Sequence, residues 1–125
     1  MMVLRTGIDI LEIERLSTLS LAIRDRFLNR VFTPREIAEA QGNWETLAGR
    51  FAVKEAVAKA LGTGIGAVGW KSIEIQRGAN GEPLLNLLEK AAEEAQAQGL
   101  QTWSVSISHS KGLAVAVVVA AGEKK

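Results

Sequence analysis

The order of predicted elements places this chain in the α+β class, with a largely antiparallel sheet packed against helices. Three observations support that class: a β-branched stretch near the N-terminus, a long central segment that is apolar on nearly all sides, and two C-terminal strands joined by a short turn. The predicted order β-α-α-α-β-α-β-β groups helices together rather than alternating them with strands. A single domain spanning residues 1–125 is expected, because that length supports one core and no linker divides it.

The N-terminal half predicts one strand followed by three helices. Residues 3–13 are rich in branched aliphatic side chains and predict a strand. Residues 16–30 carry apolar side chains at spacings of three and four and predict an amphipathic helix. A capping box at residues 33–36 begins a short helix, and a longer helix over residues 43–61 ends at the glycines that follow it.

The C-terminal half predicts strands around one further helix. In order, the predictions are a strand, a short extended piece, a helix and a final hairpin, at residues 71–77, 84–85, 86–98, 102–109 and 113–121. In the hairpin, bulky side chains alternate with serine or alanine, so one face is small enough for a helix to approach closely.

Composition excludes several classes of protein. Hydrophobic residues make up 47% of the chain, which indicates a globular protein, and the net charge of +1 argues against nucleic-acid binding. The first apolar stretch contains Arg5 and Asp9, so neither a signal peptide nor a membrane span is expected. Without cysteines, any metal must be held by oxygen or by the single His109, and a reducing cytoplasm is the expected location.

Residues 48–64 are the most informative segment. Glu55 and Lys59 lie four residues apart there, so both fall on one face of the predicted helix. On a solvated face such a pair contributes only roughly 0.3–0.5 kcal/mol. Here the neighbouring side chains are apolar, and buried charges need a partner, a metal or a ligand.

Asp9 is a lone carboxylate between two isoleucines in the first predicted strand. One interpretation is an ion pair with an arginine such as Arg50. The other joins Asp9 with Glu55 as two hard oxygen ligands for Mg²⁺, which takes one or two carboxylates together with phosphate oxygens. Lys59 would then stand beside the same phosphates as a point charge. Both interpretations are open on these residues alone.

Further residues that could contact a ligand follow the long helix. Gly62 and Gly64 allow the backbone to approach a ligand closely, although a plain helix stop explains them equally well. His109 lies at a predicted strand end with a serine on each side, where hydroxyl and imidazole groups can bind phosphate or simply support the fold. Residues 15–35 hold five arginines against one aspartate, which indicates either a solvated face or a dock for an acidic partner.

Taken in order, five motifs carry a family resemblance: Gly7-Ile8-Asp9-Ile10, Arg50-Phe51-Ala52-Val53-Lys54-Glu55-Ala56 with Lys59, Gly62-Thr63-Gly64, Asn80-Gly81-Glu82-Pro83, and Ser106-Ile107-Ser108-His109-Ser110. Together they resemble holo-acyl-carrier-protein synthase, the small bacterial type of 4′-phosphopantetheinyl transferase. The resemblance spans nearly the whole chain, and the ordered set is specific although each motif alone is not.

The resemblance implies the fold and the reaction of that family. The 4′-phosphopantetheine arm of coenzyme A is transferred to a serine of apo acyl carrier protein, in fatty acid biosynthesis, with release of adenosine 3′,5′-bisphosphate and a requirement for Mg²⁺. Asp9 and Glu55 are implied to hold the metal against the pyrophosphate, and Lys59 to contact phosphate. Coenzyme A contacts are implied at Arg50, Lys59, Gly62, Gly64, Asn80, Gly81, Pro83, Ser108 and His109.

The resemblance also implies partners. Arg15, Arg24 and Arg26 correspond to the basic face that docks the acidic carrier protein, although Ile23 stands where a further basic residue would be accepted. Family members of this size are homotrimers with active sites between subunits. No nucleic acid or membrane is implied.

Two other functions are compatible with the same residues. A Mg²⁺-dependent nucleotide or pyrophosphate hydrolase would use the same carboxylates but would cleave coenzyme A without a carrier protein. A trimeric binding module without activity would use Asp9, Glu55 and Lys59 only as a buried ion network. The base that takes the serine proton is not identified by the sequence; a metal-bound water and Glu55 acting through water are two candidates.

Overall fold

A three-stranded antiparallel sheet forms the framework of the chain. The structure, a computed structural model, describes residues 1–124. Strand β1 (Met2–Glu12) pairs with β5 (Leu113–Glu123), and β5 pairs with β4 (Leu100–Ser110), so that β5 is central. A two-residue turn at 111–112 joins the last two strands, and both its residues have positive φ, as tight hairpins require.

The 18-residue helix α4 (Trp44–Leu61) lies across the inner face of this sheet. Small side chains allow the close approach, because Ala116 and Ala120 of β5 are fully buried there. Gly7 of β1 lies against the helix so closely that a Cβ atom would overlap the carbonyl oxygen of Ala56. The burial of the apolar central segment is therefore confirmed, and so is the small helix-facing side for β5. For β4 the prediction is wrong, because its bulky side chains, such as Ile107 opposite Ala116, face the helix and its serines face outward.

The other helices surround this core: α1 (Glu14–Ser17), α2 (Leu21–Val31), α3 (Pro34–Ala40), α5 (Ile65–Val68), a 3₁₀ turn (Trp70–Ser72) and α6 (Glu89–Ala97). The capping box at Thr33 and Glu36 and the cap at Asn43 are confirmed. Among the described residues, none of the helices has the length and apolar character to span a bilayer.

The prediction of one continuous helix over residues 16–30 is wrong. The chain instead forms α1 and α2 with a break at residues 18–20. The Thr18 hydroxyl donates to the carbonyl oxygen of Glu14 at 2.6 Å, and Ser20 has an extended backbone that starts a new helix. A local side-chain bond of this kind competes with continuation of the helix.

A second, two-stranded sheet forms one side of the domain. Strand β2 (Ile73–Arg77) pairs antiparallel with β3 (Pro83–Leu87) across the predicted Asn80–Gly81 turn. Because Asn86 and Leu87 continue the ladder of β3, helix α6 begins three residues later than predicted.

Charged side chains satisfy the outer edge of β2. The Glu36 carboxylate accepts from the backbone N–H of Ile75 at 2.9 Å and pairs with Lys54 at 2.8 Å. Lys54 in turn donates to the carbonyl oxygen of Ile73. Both charged side chains are fully buried, and the compensated pair closes an edge that would otherwise expose unpaired backbone groups.

The outer face of the three-stranded sheet is apolar and uncovered in a single chain. Leu4, Ile8 and Ile10 of β1 and Val117 and Val119 of β5 project from it and are exposed. Their contiguity on one face distinguishes them from scattered surface hydrophobic residues.

Candidate active site

An ion pair between Asp9 and Lys59 marks the point where α4 passes over β1. The Lys59 ammonium lies 3.1 Å from Asp9 Oδ1 and also donates to the carbonyl oxygen of Ile8 at 2.9 Å. The Asp9 side chain is 17% exposed and that of Lys59 is 54% exposed. The alternative that paired Asp9 with Arg50 is wrong, because Arg50 binds Glu39 on another side of α4.

Glu55 lies one helical turn before Lys59 and is the third member of this group. Burial raises the pKa of Glu55, the nearby Asp9 carboxylate raises it further, and Lys59 lowers it. Within residues 1–124, no lysine or arginine nitrogen lies within 4 Å of the Glu55 carboxylate, so the i,i+4 pair with Lys59 is not formed. One carboxylate of this group is therefore paired with the ammonium and the other is not; we call the group the carboxylate–lysine cluster (Asp9, Glu55 and Lys59).

The donor set of this cluster suits a hard divalent cation. Two carboxylates with a single compensating positive charge leave a negative site that a cation would neutralise. In the part of the chain that the structure describes, His, Cys, Asp and Glu side chains form no group of three or more that would enclose a metal. Two protein carboxylates with room for water and phosphate oxygens match the preference of Mg²⁺.

A separate cavity of about 250 Å³ lies between α4, the β2–β3 hairpin and the end of β4. We call it the hairpin cavity. Four of the predicted ligand-contacting residues line it: Arg50, Gly81, Pro83 and His109. Arg77 also lines it and was not predicted; the sequence pattern around it is that of an ordinary strand end, which gives no signal.

Arg50 is held inside the wall of this cavity by an acidic residue from α3. Its Nη2 donates to Glu39 Oε1 at 2.7 Å, and the same oxygen accepts from the backbone N–H of Arg77 at 3.1 Å. Burial tends to raise the pKa of Glu39, but the hydrogen bond and charge of Arg50 outweigh it and hold the pKa below its ordinary value. Sequence reasoning missed Glu39; the signal is its position three residues after the capping Glu36, on the same helix face.

His109 reaches the cavity from the end of β4. Its Nε2 lies 2.8 Å from the carbonyl oxygen of Glu45, so Nε2 carries a proton and donates. Gly49 of α4 makes room for the ring, since a Cβ there would lie 3.1 Å from His109 Nε2.

The other predicted contacts lie elsewhere. Gly62 and Gly64 have φ of 74° each, which a glycine adopts readily, and they follow Lys59 at the end of α4 with open space beside them. Ser108 is exposed on the opposite face of β4 from His109, because neighbouring strand residues alternate. The backbone N–H of Asn80 donates to the Glu82 carboxylate and closes the hairpin turn.

The predicted site residues thus form two groups on different sides of α4. Arg50 and Lys59 are nine residues apart, which places them on opposite faces of the helix. One face carries the carboxylate–lysine cluster against β1, and the other lines the hairpin cavity. A single chain brings the members of each group together, but not the two groups.

The predicted docking arginines differ in their exposure to solvent and in their local contacts. Arg15 and Arg26 are exposed on α1 and α2. Arg24 is half-buried, lies over the Trp44 ring at 5.4 Å and donates to the carbonyl oxygen of Leu19 at 3.2 Å. Arg24 therefore also supports the local fold.

Comparison with known proteins gives consistent matches. The family model described as the 4′-phosphopantetheinyl transferase superfamily matches residues 5–118. A holo-[acyl-carrier-protein] synthase of Herpetosiphon aurantiacus is 40% identical over 124 residues, which cover 94% of this chain and 98% of the relative. The Helicobacter pylori holo-[acyl-carrier-protein] synthase in complex with coenzyme A is 36% identical with a TM-score of 0.83, covering 92% of this chain and 98% of that one.

A third match, the Bacillus anthracis holo-(acyl-carrier-protein) synthase in complex with CoA (3′,5′-ADP), is 36% identical with a TM-score of 0.78. The alignment covers 98% of this chain and 100% of that one. The likeness therefore extends over the length that contains both groups of site residues.

Proposed function

The chain belongs to the 4′-phosphopantetheinyl transferase superfamily, and from that premise we propose that it is a holo-[acyl-carrier-protein] synthase. It transfers the 4′-phosphopantetheine group of coenzyme A to a serine hydroxyl of apo acyl carrier protein. The resemblance drawn from the sequence motifs is confirmed by relatives of this activity at about 40% identity over nearly the full length. Structures of such synthases with coenzyme A support it as the co-substrate.

The observation that carries this function is the carboxylate–lysine cluster. In the transfer, the serine oxygen forms a bond to the β-phosphorus of the pyrophosphate, and the bond from that phosphorus to the bridging oxygen breaks. The leaving group is adenosine 3′,5′-bisphosphate, and negative charge develops on its phosphate oxygens. The Lys59 ammonium is placed to stabilise that charge, and it is held by Asp9 and Ile8 in one position before substrate binds.

Asp9 and Glu55 are the residues that would hold Mg²⁺. When bound, the ion would neutralise charge on the pyrophosphate and favour departure of the leaving group. The Glu55 carboxylate is available for this role, because no basic side chain in residues 1–124 forms an ion pair with it. The serine proton can pass to Glu55 through an intervening water, which is the assignment that uses a residue of this chain.

The hairpin cavity is the proposed site for the nucleotide end of coenzyme A. Coenzyme A has two phosphate-bearing regions, the pyrophosphate and the 3′-phosphate of the ribose. Because the pyrophosphate belongs with Lys59, the guanidinium groups of Arg50 and Arg77, with the imidazole of His109 beside them, are left for the 3′-phosphate. The turn residues Gly81 and Pro83 lie where they can contact the base.

The separation of the two groups supports a homotrimer with sites between subunits. One molecule of coenzyme A would contact the carboxylate–lysine cluster of one subunit and the hairpin cavity of its neighbour. The uncovered apolar face of the three-stranded sheet supplies a surface for self-association. A trimer therefore explains both the split site and the exposed side chains of Ile8 and Ile10.

The carrier protein is proposed to dock on the basic surface of α1 and α2. Arg15 and Arg26 are exposed there, and acidic partners are attracted to such a patch at long range. The proposed setting is fatty acid biosynthesis in the cytoplasm, in a chain that forms a single transferase domain.

The intact mass of an apo acyl carrier protein, incubated with this protein, coenzyme A and Mg²⁺, tests the function directly. A gain of one phosphopantetheine group supports the transferase. Cleavage of coenzyme A at the same rate without any carrier protein would instead identify a hydrolase. If neither the modified carrier protein nor cleaved coenzyme A is formed, the chain acts only as a binding protein.

A further inference from the structure

We propose that Glu39 is a positioning residue for coenzyme A: it fixes the Arg50 side chain and the β2–β3 hairpin in the arrangement that makes the hairpin cavity fit the nucleotide. This inference rests on the proposed function, because it takes the cavity as the nucleotide site. Glu39 does not itself line the cavity. Its effect is exerted through Arg50 and Arg77, which do.

One carboxylate oxygen makes both connections. Glu39 Oε1 accepts from Arg50 Nη2 at 2.7 Å and from the backbone N–H of Arg77 at 3.1 Å. The first bond fixes a side chain of α4, and the second fixes the last residue of β2. The two walls of the cavity are therefore held at a set separation by a single atom of a third element, α3.

The same helix makes a second, parallel connection one turn earlier. Glu36 joins Lys54 of α4 to the backbone N–H of Ile75, as Glu39 joins Arg50 to that of Arg77. Each glutamate thus links a cation of α4 to an outward-facing amide of β2. The Glu36 connection lies in the core and meets the cavity lining only at Ile75, whereas both ends of the Glu39 connection, Arg50 and Arg77, line the cavity.

Charge and geometry predict opposite effects of removing Glu39. Its negative charge partly cancels that of Arg50, so loss of the charge alone would strengthen binding of a phosphate group. Loss of the hydrogen bonds would let Arg50 and the hairpin move and would weaken binding. The Arg50 side chain is only 5% exposed, so a phosphate can meet its guanidinium only in the one position that Glu39 sets, and the geometric effect is the larger one.

The experiment compares steady-state transfer by the full chain and its Glu39→Gln variant, with carrier protein and coenzyme A varied separately. The expected result is a rise of about tenfold in KM for coenzyme A, because the variant loses one charge-assisted hydrogen bond. The value of kcat should stay within about twofold, because the carboxylate–lysine cluster is untouched. The preference for coenzyme A over 3′-dephospho-coenzyme A should shrink, which a general loss of stability would not cause.

Two further variants complete the design. Arg35→Ala is the matched control, since Arg35 Nε lies 3.5 Å from the other oxygen of Glu39 and 55% of its side chain is exposed; it should leave kcat and KM for coenzyme A unchanged. Glu39→Asp keeps the charge and withdraws the oxygen by about 1.5 Å, and it should raise KM as Glu39→Gln does. It also decides the question if Glu39→Gln fails to fold.

If the wild-type protein is active and the folded Glu39 variants have an unchanged or lowered KM for coenzyme A, the positioning role is overturned. A rise in KM in Arg35→Ala equal to that in Glu39→Gln would overturn it as well. Failure of the wild-type protein to modify the carrier protein would instead count against the proposed function.

Discussion

The Lys59 ammonium lies 3.1 Å from the Asp9 carboxylate, and the same nitrogen donates to the backbone of Ile8. A lysine side chain that is half exposed is thereby tied at two points to β1. Asp9 is compensated and Glu55 is not, so the cluster keeps a negative charge while its one cation is already oriented. Predictions for each member follow from that imbalance.

Lys59→Met should reduce kcat by about 10²–10³-fold, because it removes a fixed cation from the place where negative charge develops. The free energy of unfolding should change by less than about 1 kcal/mol, since the ion pair is largely solvated. Steady-state transfer and chemical denaturation measure the two effects. Lys90→Met, on the exposed surface of α6, is the control, and an equal loss of kcat there would refute a specific role.

Glu55→Gln should abolish transfer yet stabilise the metal-free protein at neutral pH. The pKa of Glu55 is raised in the folded state, so the native protein binds more protons than the unfolded chain above the ordinary value of 4.5. Its stability contribution therefore falls as the pH rises from 4.5 through the raised pKa. The stability advantage of Glu55→Gln should vanish in acid below that range.

Thermal denaturation of both proteins in chelator across this pH range measures the effect. A Glu55→Gln protein that is less stable than wild type at pH 7, or that transfers normally, would contradict the role assigned to this carboxylate.

Arg26→Glu should raise KM for the carrier protein without altering stability, mostly through slower association that high salt reproduces. Arg24→Glu should raise KM and also destabilise the fold by about 0.5–1 kcal/mol, because Arg24 packs over Trp44. Kinetics at two salt concentrations and thermal denaturation separate these effects. Lys90→Glu repeats the charge reversal far from the patch and is the control, which should keep the wild-type KM for the carrier protein. Docking on α2 is refuted if Arg26→Glu and Arg24→Glu keep that KM as well.

Ile10→Glu should dissociate the proposed trimer, because it places a charge on the apolar sheet face. Ile10 is 60% exposed in a single chain and Leu21 on α2 is 78% exposed, so Leu21→Glu is a control of similar exposure outside that face. Light scattering after size exclusion gives the mass of each species. Trimers of Ile10→Glu as stable as those of wild type would show that another surface mediates assembly.

Mixing two impaired variants should restore activity if sites form between subunits. Glu55→Gln lacks the carboxylate–lysine cluster and His109→Ala lacks part of the hairpin cavity, so a mixed trimer contains an interface where both halves are intact. Transfer should recover to a fraction of the wild-type rate after the two variants are denatured and refolded together. It should not recover when the folded variants are mixed under conditions in which trimers do not exchange subunits. No recovery under either condition would indicate that both groups act within one chain.

Much of this fold could be predicted from local patterns in the sequence. Helix α4 was predictable because residues 48–64 are apolar around the whole circumference and end in glycines, and the capping box and hairpin turn are short-range signals. The Asp9, Glu55 and Lys59 grouping was also predicted, from burial of charges that need partners.

Relations between distant elements could not be predicted. Which arginine meets which acid depends on how helices pack, so one open interpretation paired Asp9 with an arginine such as Arg50, which instead binds Glu39. The break between α1 and α2 depends on one Thr18 hydroxyl that competes with the backbone. The nine-residue spacing of Arg50 and Lys59 separates them around α4, but which elements each of them meets followed only from the position of α4 on the sheet.

Helix α4 fixes the spacing between the two groups of functional side chains. From Arg50 to Glu55 the helix advances about 7.5 Å and turns through about 500°, which leaves the two side chains about 140° apart around its axis. Inserting or deleting one residue in between would swing one group about 100° away from its neighbours while leaving the composition almost unchanged. Homologous lineages are therefore free to vary the length of their surface loops, but this stretch should tolerate no indel in any enzyme that retains activity.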